Sequence, residues 1–440
     1  MCSVAGRTRD AAIDRLLAGM TARFPRVATR RRAGMFLRGL LAELPTRNCW
    51  TIAEHAGDRD PHAMQNFLAR AVWDTDGVRD DLRDYVIEHL ADADAVLVFD
   101  ETGDLKKGTA TVGVQRQYTG TAGRIENAQV AVYLAYAGRD RHALIDHELY
   151  LPRSWIDDPD RCREAGVPAD VEFATKPALA AGMLTRALQA QVPARWVAGD
   201  EVYGDAPDLA RECEYHRIGY VLAVSRDRQV VTAAGRERAD LLAARLPRWA
   251  WQRLSAGHGA KGERVYDWAW ITLHPDANSD SDGYTADTRC WWLLVRRNPA
   301  TGELAYYRCY SPQPVPLREL VRVAGRRWSI EESFQAGKGL AGLDEHQVRS
   351  WTSWYRWTLL AMTAHALLAV LARHAAQHDE QPDGMIALTC NEIRRLVTRL
   401  ADATDDETPH ILAWSHWRRR HQQRARTSHY QRREALWATR

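Results

Sequence analysis

Two short runs, AVLVFD at positions 95–100 and RWVAGD at 195–200, each close on an aspartate, and they constrain the fold more than any other feature of the chain. A run of this length bounded by turn residues reads as a buried strand, and an open α/β sheet presents its chemistry at strand ends. Segments at 112–118, 129–137 and 142–151 alternate like strands, 176–190 has a helical pattern, and YVLAVS at 220–225 adds a further strand. Strands and helices thus interleave as in a mixed α/β domain.

The flanks differ from this centre. The first ninety residues follow helical periodicity, and TIAEHAGDRDPHAMQNFLARAVW at 51–73 has helix-turn-helix spacing, with Asp60 as cap and Pro61 at the first helical position. An ordinary pair of bundle helices fits the same spacing. Residues 226–311 carry tryptophans at 249, 251, 268, 270, 291 and 292 around a polar loop, DANSDSDG, and read as a β-rich insertion. A helical segment then runs from Pro314 to about Lys338, where Gly337, Gly339 and Gly342 end it, and a mostly apolar helix at 354–372 is expected beneath it. The expected organisation is a helical DNA-binding region at 1–90, an α/β catalytic region at 91–225, the insertion at 226–311, the return of the catalytic region at 312–378 and a basic helical tail at 379–440.

At 440 residues the chain can bury a large core. No stretch of roughly 18 uncharged apolar residues is evident and the start lacks a signal-peptide core, so a soluble cytoplasmic protein is expected. The seven cysteines form no C-x-x-C pair, so neither a zinc cage nor a disulfide framework is signalled. A net charge of +3 says little about partners, but its distribution says more. The stretch from Trp417 to Arg433 holds seven arginines, among them Arg418, Arg419, Arg420, Arg424 and Arg426, and no acid. Such a field favours phosphate contact. The whole chain has five lysines, at 106, 107, 176, 261 and 338, so a lysine inside a motif is informative.

Strand-end carboxylates suit a hard divalent cation such as Mg²⁺, which prefers oxygen ligands, and two such ions about 4 Å apart need bridging anions. Asp100 and Asp200 meet that need. A third acid comes from GRRWSIEESFQAGKG, where Arg327, Glu331 and Lys338 fall on one helical face. Glu332 is turned away from that face and is the weaker ligand candidate.

The pattern Arg-x3-Glu-x6-Lys at Arg327, Glu331 and Lys338 resembles the signature of DDE transposases of the IS-four-like superfamily of bacterial insertion sequences. VLVFDETGDLKKGTATVGVQRQY, GDEVYG and IEESFQAGKGLAGLDEHQVRSWTSWYRWTLLAM resemble the three endonuclease blocks of that family. The resemblance implies an RNase H-like catalytic domain with a β-rich insertion, and two Mg²⁺ ions, with Mn²⁺ as a substitute, held by Asp100, Asp200 and Glu331. It implies phosphate contacts from Arg327 and Lys338, with Lys106 and Lys107 as secondary candidates. The partners it implies are double-stranded DNA with terminal inverted repeats, a target DNA and a second copy of the chain in a synaptic complex. One departure stands out: the signature usually has a tyrosine three residues before the arginine, and here that residue is Ala324.

Other readings of the same residues are weaker. AVLVFDE also resembles the magnesium-binding strand of P-loop ATPases, but no G-x-x-x-x-G-K-[ST] loop exists. Asp200 alone would serve as a helix cap, and His365 as a satisfied core histidine. Relatives use an aromatic of the insertion to stack a flipped base, for which Trp249, Trp268, Trp270 and Trp291 are all candidates. A domesticated DNA-binding regulator without cleavage and a nuclease without strand transfer remain alternatives to a transposase.

Overall fold

A computed structural model describes residues 5–259, 262–274, 289–378, 384–401 and 407–438. The DANSDSDG loop and Lys261 lie outside them. The architecture is mixed α/β, with a large central sheet and helices packed around it.

The strands are β1 Val96–Leu105, β2 Gln115–Thr119, β3 Arg124–Ala137, β4 His142–Leu149, β5 Trp196–Gly199 and β6 Gly219–Val224. They are followed by β7 Gln229–Thr232, β8 Gly235–Arg238, β9 Gln252–Gly259, β10 Gly262–Leu273, β11 Cys290–Arg297 and β12 Leu304–Ser311. Among the described residues ten of them form one sheet in the order β2-β3-β1-β5-β6-β12-β11-β10-β9, with β4 beside β3, while β7 and β8 pair separately. β1, β5 and β6 run parallel. The other neighbours are antiparallel, including β12 on β6. The β-rich segment at 226–311 therefore does not stand apart from the sheet: β12 to β9 continue it edge to edge.

Residues 5–90 are helices and their connections. The helix-turn-helix spacing resolves into helices Cys49–His55 and His62–Ala69, the second starting one residue later than expected. The residue in the cap position is Pro61, not Asp60 as expected, because the helix starts one residue later; Asp60 accepts from the His62 N–H at 2.9 Å in the turn before it. The helix bearing Glu331 also runs further than its glycines suggest, to Ala341. Gly337 and Gly339 are absorbed, and Gly342, at φ 67° and ψ 35°, forms the left-handed cap.

The apolar helix is longer than expected, Trp351–His378. By length and composition it is a helix that could cross a membrane, a test the sequence reading did not expect any segment to pass. Most of its apolar window is nevertheless buried against protein, including helix Thr75–Leu90 and β4, as befits a core helix.

His365 on this helix is buried, but its Nδ1 has no hydrogen-bond partner among the described residues, so it is not the satisfied histidine expected. Burial pushes His365 and His147 down to about 3 from an ordinary 6.5. A base depressed in the fold contributes stability above its unfolded value and loses it as pH falls. Each imidazole should therefore cost about 1.4 kcal/mol per pH unit below 6.5. Asp146 acts in the opposite sense: burial pushes it up to about 6 from 3.8, so its contribution is complete below 3.8 and lost as pH rises through 6. Between those values it offsets one imidazole. Denaturation midpoints measured from pH 7 to 4 should show an acid limb that is shallower in His365→Leu; an unchanged slope would mean that His365 titrates normally.

Candidate active site

β1 does not end at Asp100, as the sequence suggested. It continues to Leu105 because β3 pairs with it residue for residue from Val96↔Ala137 to Leu105↔Ala128. What stops is its other neighbour, since β5 pairs with β1 only as far as Val98↔Ala198 and then turns into helix Glu201–Asp205. Asp100 and Asp200 each stand two residues past that last pair, so the parallel register sets them side by side. Asp200 is also the N-cap of the short helix, its Oδ1 accepting from the Val202 N–H at 2.9 Å.

Helices Leu317–Arg326 and Trp328–Ala341 abut at Arg327, whose backbone stays helical. The second packs along β1, β3 and β4. Arg327 donates to Glu331 at 3.0 Å, one helical turn on, and reaches Asp100 Oδ2 at 3.5 Å. At the far end of the helix Lys338 donates to Thr102 Oγ1 at 2.8 Å and lies 3.8 Å from Asp104. Eleven helical residues rise about 16 Å and four strand residues about 13 Å, so one helix spans β1 from Asp100 to Asp104. The three residues of the spacing motif do share a face, and that face lies on β1.

The site is short of positive charge. Burial, with the carboxylate of Asp200 beside it, pushes Asp100 up to about 7 despite Arg327. Burial and Glu101 push Asp200 up to about 6. Burial also raises Glu331, against the pull of Arg327. Hard oxygen donors in a buried negative field suit a divalent cation. Asp100 and Asp200 fit that role as they stand, while Glu331 is taken up by Arg327. Among the described residues no group of three or more His, Cys, Asp or Glu side chains is arranged to hold a metal ion.

Several neighbours carried no sequence signal. Glu101 accepts from Lys176 Nζ at 2.6 Å and from the Tyr203 hydroxyl at 2.7 Å; the scarcity of lysine is the one signal that marks Lys176 in the sequence. His142, at the start of β4, lies 3.2 Å from Glu332 and 2.6 Å from the Ser333 hydroxyl, which draws Glu332 off the Glu331 face. Arg264 of β10 feels the charges of Glu332 and Glu331.

Other candidates are scattered. Lys106 is turned inward, its Nζ 3.1 Å from the His346 carbonyl, whereas Lys107 is exposed. In helix Thr408–Ala438, Arg418 forms a two-point pair with Glu392, at 2.5 and 3.0 Å, and Arg419 donates to the Ile386 carbonyl at 2.8 Å. These two arginines fasten the helix to the segment before it. Arg420, Arg424 and Arg426 remain exposed. Of the four tryptophans, Trp268 and Trp291 are buried and Trp270 stacks on Trp292 with centroids 5.5 Å apart, while Trp249 is 85% exposed.

The sequence model of the DDE superfamily endonuclease family matches residues 19–253, more than half of the chain, and the chain belongs to that family. The matched part contains Asp100 and Asp200 and ends before Arg327 and Glu331. The chain is similar to the probable transposase for insertion sequence element IS701 of Microchaete diplosiphon, with 27% identity over 195 residues. That alignment covers 44% of this chain and 48% of the relative, so the chain spans about half the length of the curated relative it matches. The cryo-EM structure of the piggyBac transposase synaptic complex with hairpin DNA is a distant neighbour, with 9% identity and a TM-score of 0.38 over 87% of this chain and 75% of that one.

Proposed function

We propose that this protein is a DNA transposase of insertion-sequence type, which cleaves transposon ends and joins them to target DNA. The observation that carries this reading is the register that sets Asp100 beside Asp200, under a helix bringing Arg327 and Glu331 to the same place. The part of the sheet ordered β4-β3-β1-β5-β6, antiparallel on one side of β1 and parallel on the other, supports an RNase H-like core.

In this mechanism Asp100, Asp200 and Glu331 would hold Mg²⁺, two ions in the full complement and Mn²⁺ as a substitute, supplying Lewis-acid stabilisation to an in-line displacement at phosphorus. The protein's own part is to bind and orient. Arg327 has a planar guanidinium suited to holding a phosphate, and its two carboxylate partners keep it at the reacting centre until DNA arrives. Lys338, held by Thr102, places a second cation about one helix length away along the DNA backbone. Lys107, Arg420, Arg424 and Arg426 are exposed cations available to flanking phosphates. The exposed face of helix His62–Ala69 carries His62, Gln65 and Asn66, side chains able to read base edges in a groove. Two copies of the chain would pair the two ends in the cell's DNA-containing compartment.

Purified protein with Mg²⁺ and DNA bearing the inverted repeats that flank the gene should cut at the repeat ends and insert them into a target plasmid. Glu331→Gln should bind the same DNA and leave it whole. Binding without cutting by the wild type would favour a DNA-binding regulator, and cutting without plasmid integration a plain nuclease.

A further inference from the structure

Strands β9 and β10 do not pair evenly. Glu263 pairs with His258 and Val265 with Ser255, so Ala256 and Gly257 together oppose the single residue Arg264. This is a β-bulge, a device that bends a strand and re-aims side chains near functional sites. Gly257, at φ 101°, supplies a backbone conformation that other residues rarely adopt. The bulge seats the Ala256 carbonyl on helix Leu317–Arg326 so closely that a Cβ on Gly325 would come within 1.9 Å of its oxygen. The hairpin is thereby fixed two residues before Arg327.

Arg264 projects from this junction. Its Nη2 donates to the Gly325 carbonyl at 3.1 Å and the Ala256 carbonyl at 3.4 Å. A guanidinium has five N–H donors. Nε is buried with no hydrogen-bond partner, and among the described residues no carboxylate is recorded as an ion pair with Arg264. The acids whose field it feels have cations of their own: Glu331 is paired with Arg327, and Glu332 lies against His142. Burial works against the charge of Arg264, and Arg327 repels it. An underused, half-buried guanidinium set where the two helices abut, beside Arg327, forms a receptor for an anion.

We propose that Arg264 is a substrate-binding residue of this centre, holding a nonbridging oxygen of a DNA phosphodiester next to the one that is cut. The β9–β10 hairpin then contributes a phosphate contact to the site as well as an edge to the sheet. This rests on the nuclease reading above.

The test is a chemical double-mutant cycle. Binding of wild type and Arg264→Gln is measured on duplexes of the flanking inverted repeat, each with one methylphosphonate replacing a phosphate around the cut site. Wild-type affinity should drop about tenfold at the position Arg264 contacts. Arg264→Gln should bind the unmodified duplex about tenfold more weakly and lose no more at that position, while Arg264→Lys should recover part of the loss. A merely structural arginine would weaken binding equally at all positions. An identical positional profile in wild type and Arg264→Gln overturns the assignment, even if the ends are cut. Binding with no cutting by the wild type overturns the nuclease reading instead, and the profile still decides for or against Arg264.

Discussion

Asp100→Asn is expected to abolish end cleavage and at the same time make the metal-free protein more stable. The asparagine keeps the shape of the side chain and removes a charge that the fold tolerates badly. Asp100 is pushed up to about 7 from 3.8, first by burial and then by Asp200. An acid raised in the fold contributes stability that is complete below 3.8 and lost as pH rises through 7. At pH 8 in chelator the wild type therefore carries the whole penalty, with a ceiling of about 4 kcal/mol. Part of the gain is forfeited because Arg327 loses an acceptor, so a net rise of about 2 kcal/mol is expected. At pH 4 the gain should vanish. Cleavage should fall on the order of 10³-fold or more, since charge stabilisation at the reacting phosphate depends on this group. Stability that drops in the variant at pH 8 would show that the carboxylates are already compensated in the free protein, and full cleavage would remove Asp100 from the site.

That opposition between stability and activity explains why the acids were legible before the fold was known. A buried run such as AVLVF has no local use for an aspartate at its end, so a charge there breaks the pattern. The same logic found Glu331, because Arg327 lies one turn away and lysine is rare enough for Lys338 to be informative. The length of β1 was not legible, since ETGDL at 101–105 has little β-propensity. It is a strand because β3 pairs with it along its whole length, a tertiary fact. Arg264 was invisible for a related reason. An arginine within an ordinary strand sequence gives no signal, and the bulge that aims it arises from pairing between strands. For the arginines at 418 and 419, charge density in sequence does not reveal that Glu392 and a carbonyl are their partners in the fold.

The second large effect is expected far from the carboxylates, at Arg356. This residue lies on the core helix Trp351–His378 and is 6% exposed. Burial alone lowers it to about 10 from 12.5. Its Nη1 donates to the Leu68 carbonyl at 3.1 Å and the Phe67 carbonyl at 3.4 Å, its Nη2 to the Trp73 carbonyl at 3.5 Å, and its guanidinium lies 4.6 Å from the Trp73 ring centroid. Those first carbonyls end helix His62–Ala69, where a helix leaves acceptors unmet and its dipole is negative. Arg356 thus fastens the proposed DNA-reading helix to the catalytic core. Arg356→Ala should cost about 3 kcal/mol, because it takes this donor from the Leu68 and Trp73 carbonyls, while the Phe67 carbonyl keeps the Trp73 indole N–H, and leaves a cavity where the stem was. Arg356→Met should regain about 1 kcal/mol by refilling the cavity without restoring the donors. In both variants limited proteolysis should open the connection at residues 70–75 first, and affinity for the inverted repeat should fall before the sheet unfolds. If Met matches the wild type, the carbonyls find other donors and the tie between the helix pair and the core is made by packing, through Phe36, Phe67 and Trp357, whose rings meet at 5.4 to 5.9 Å.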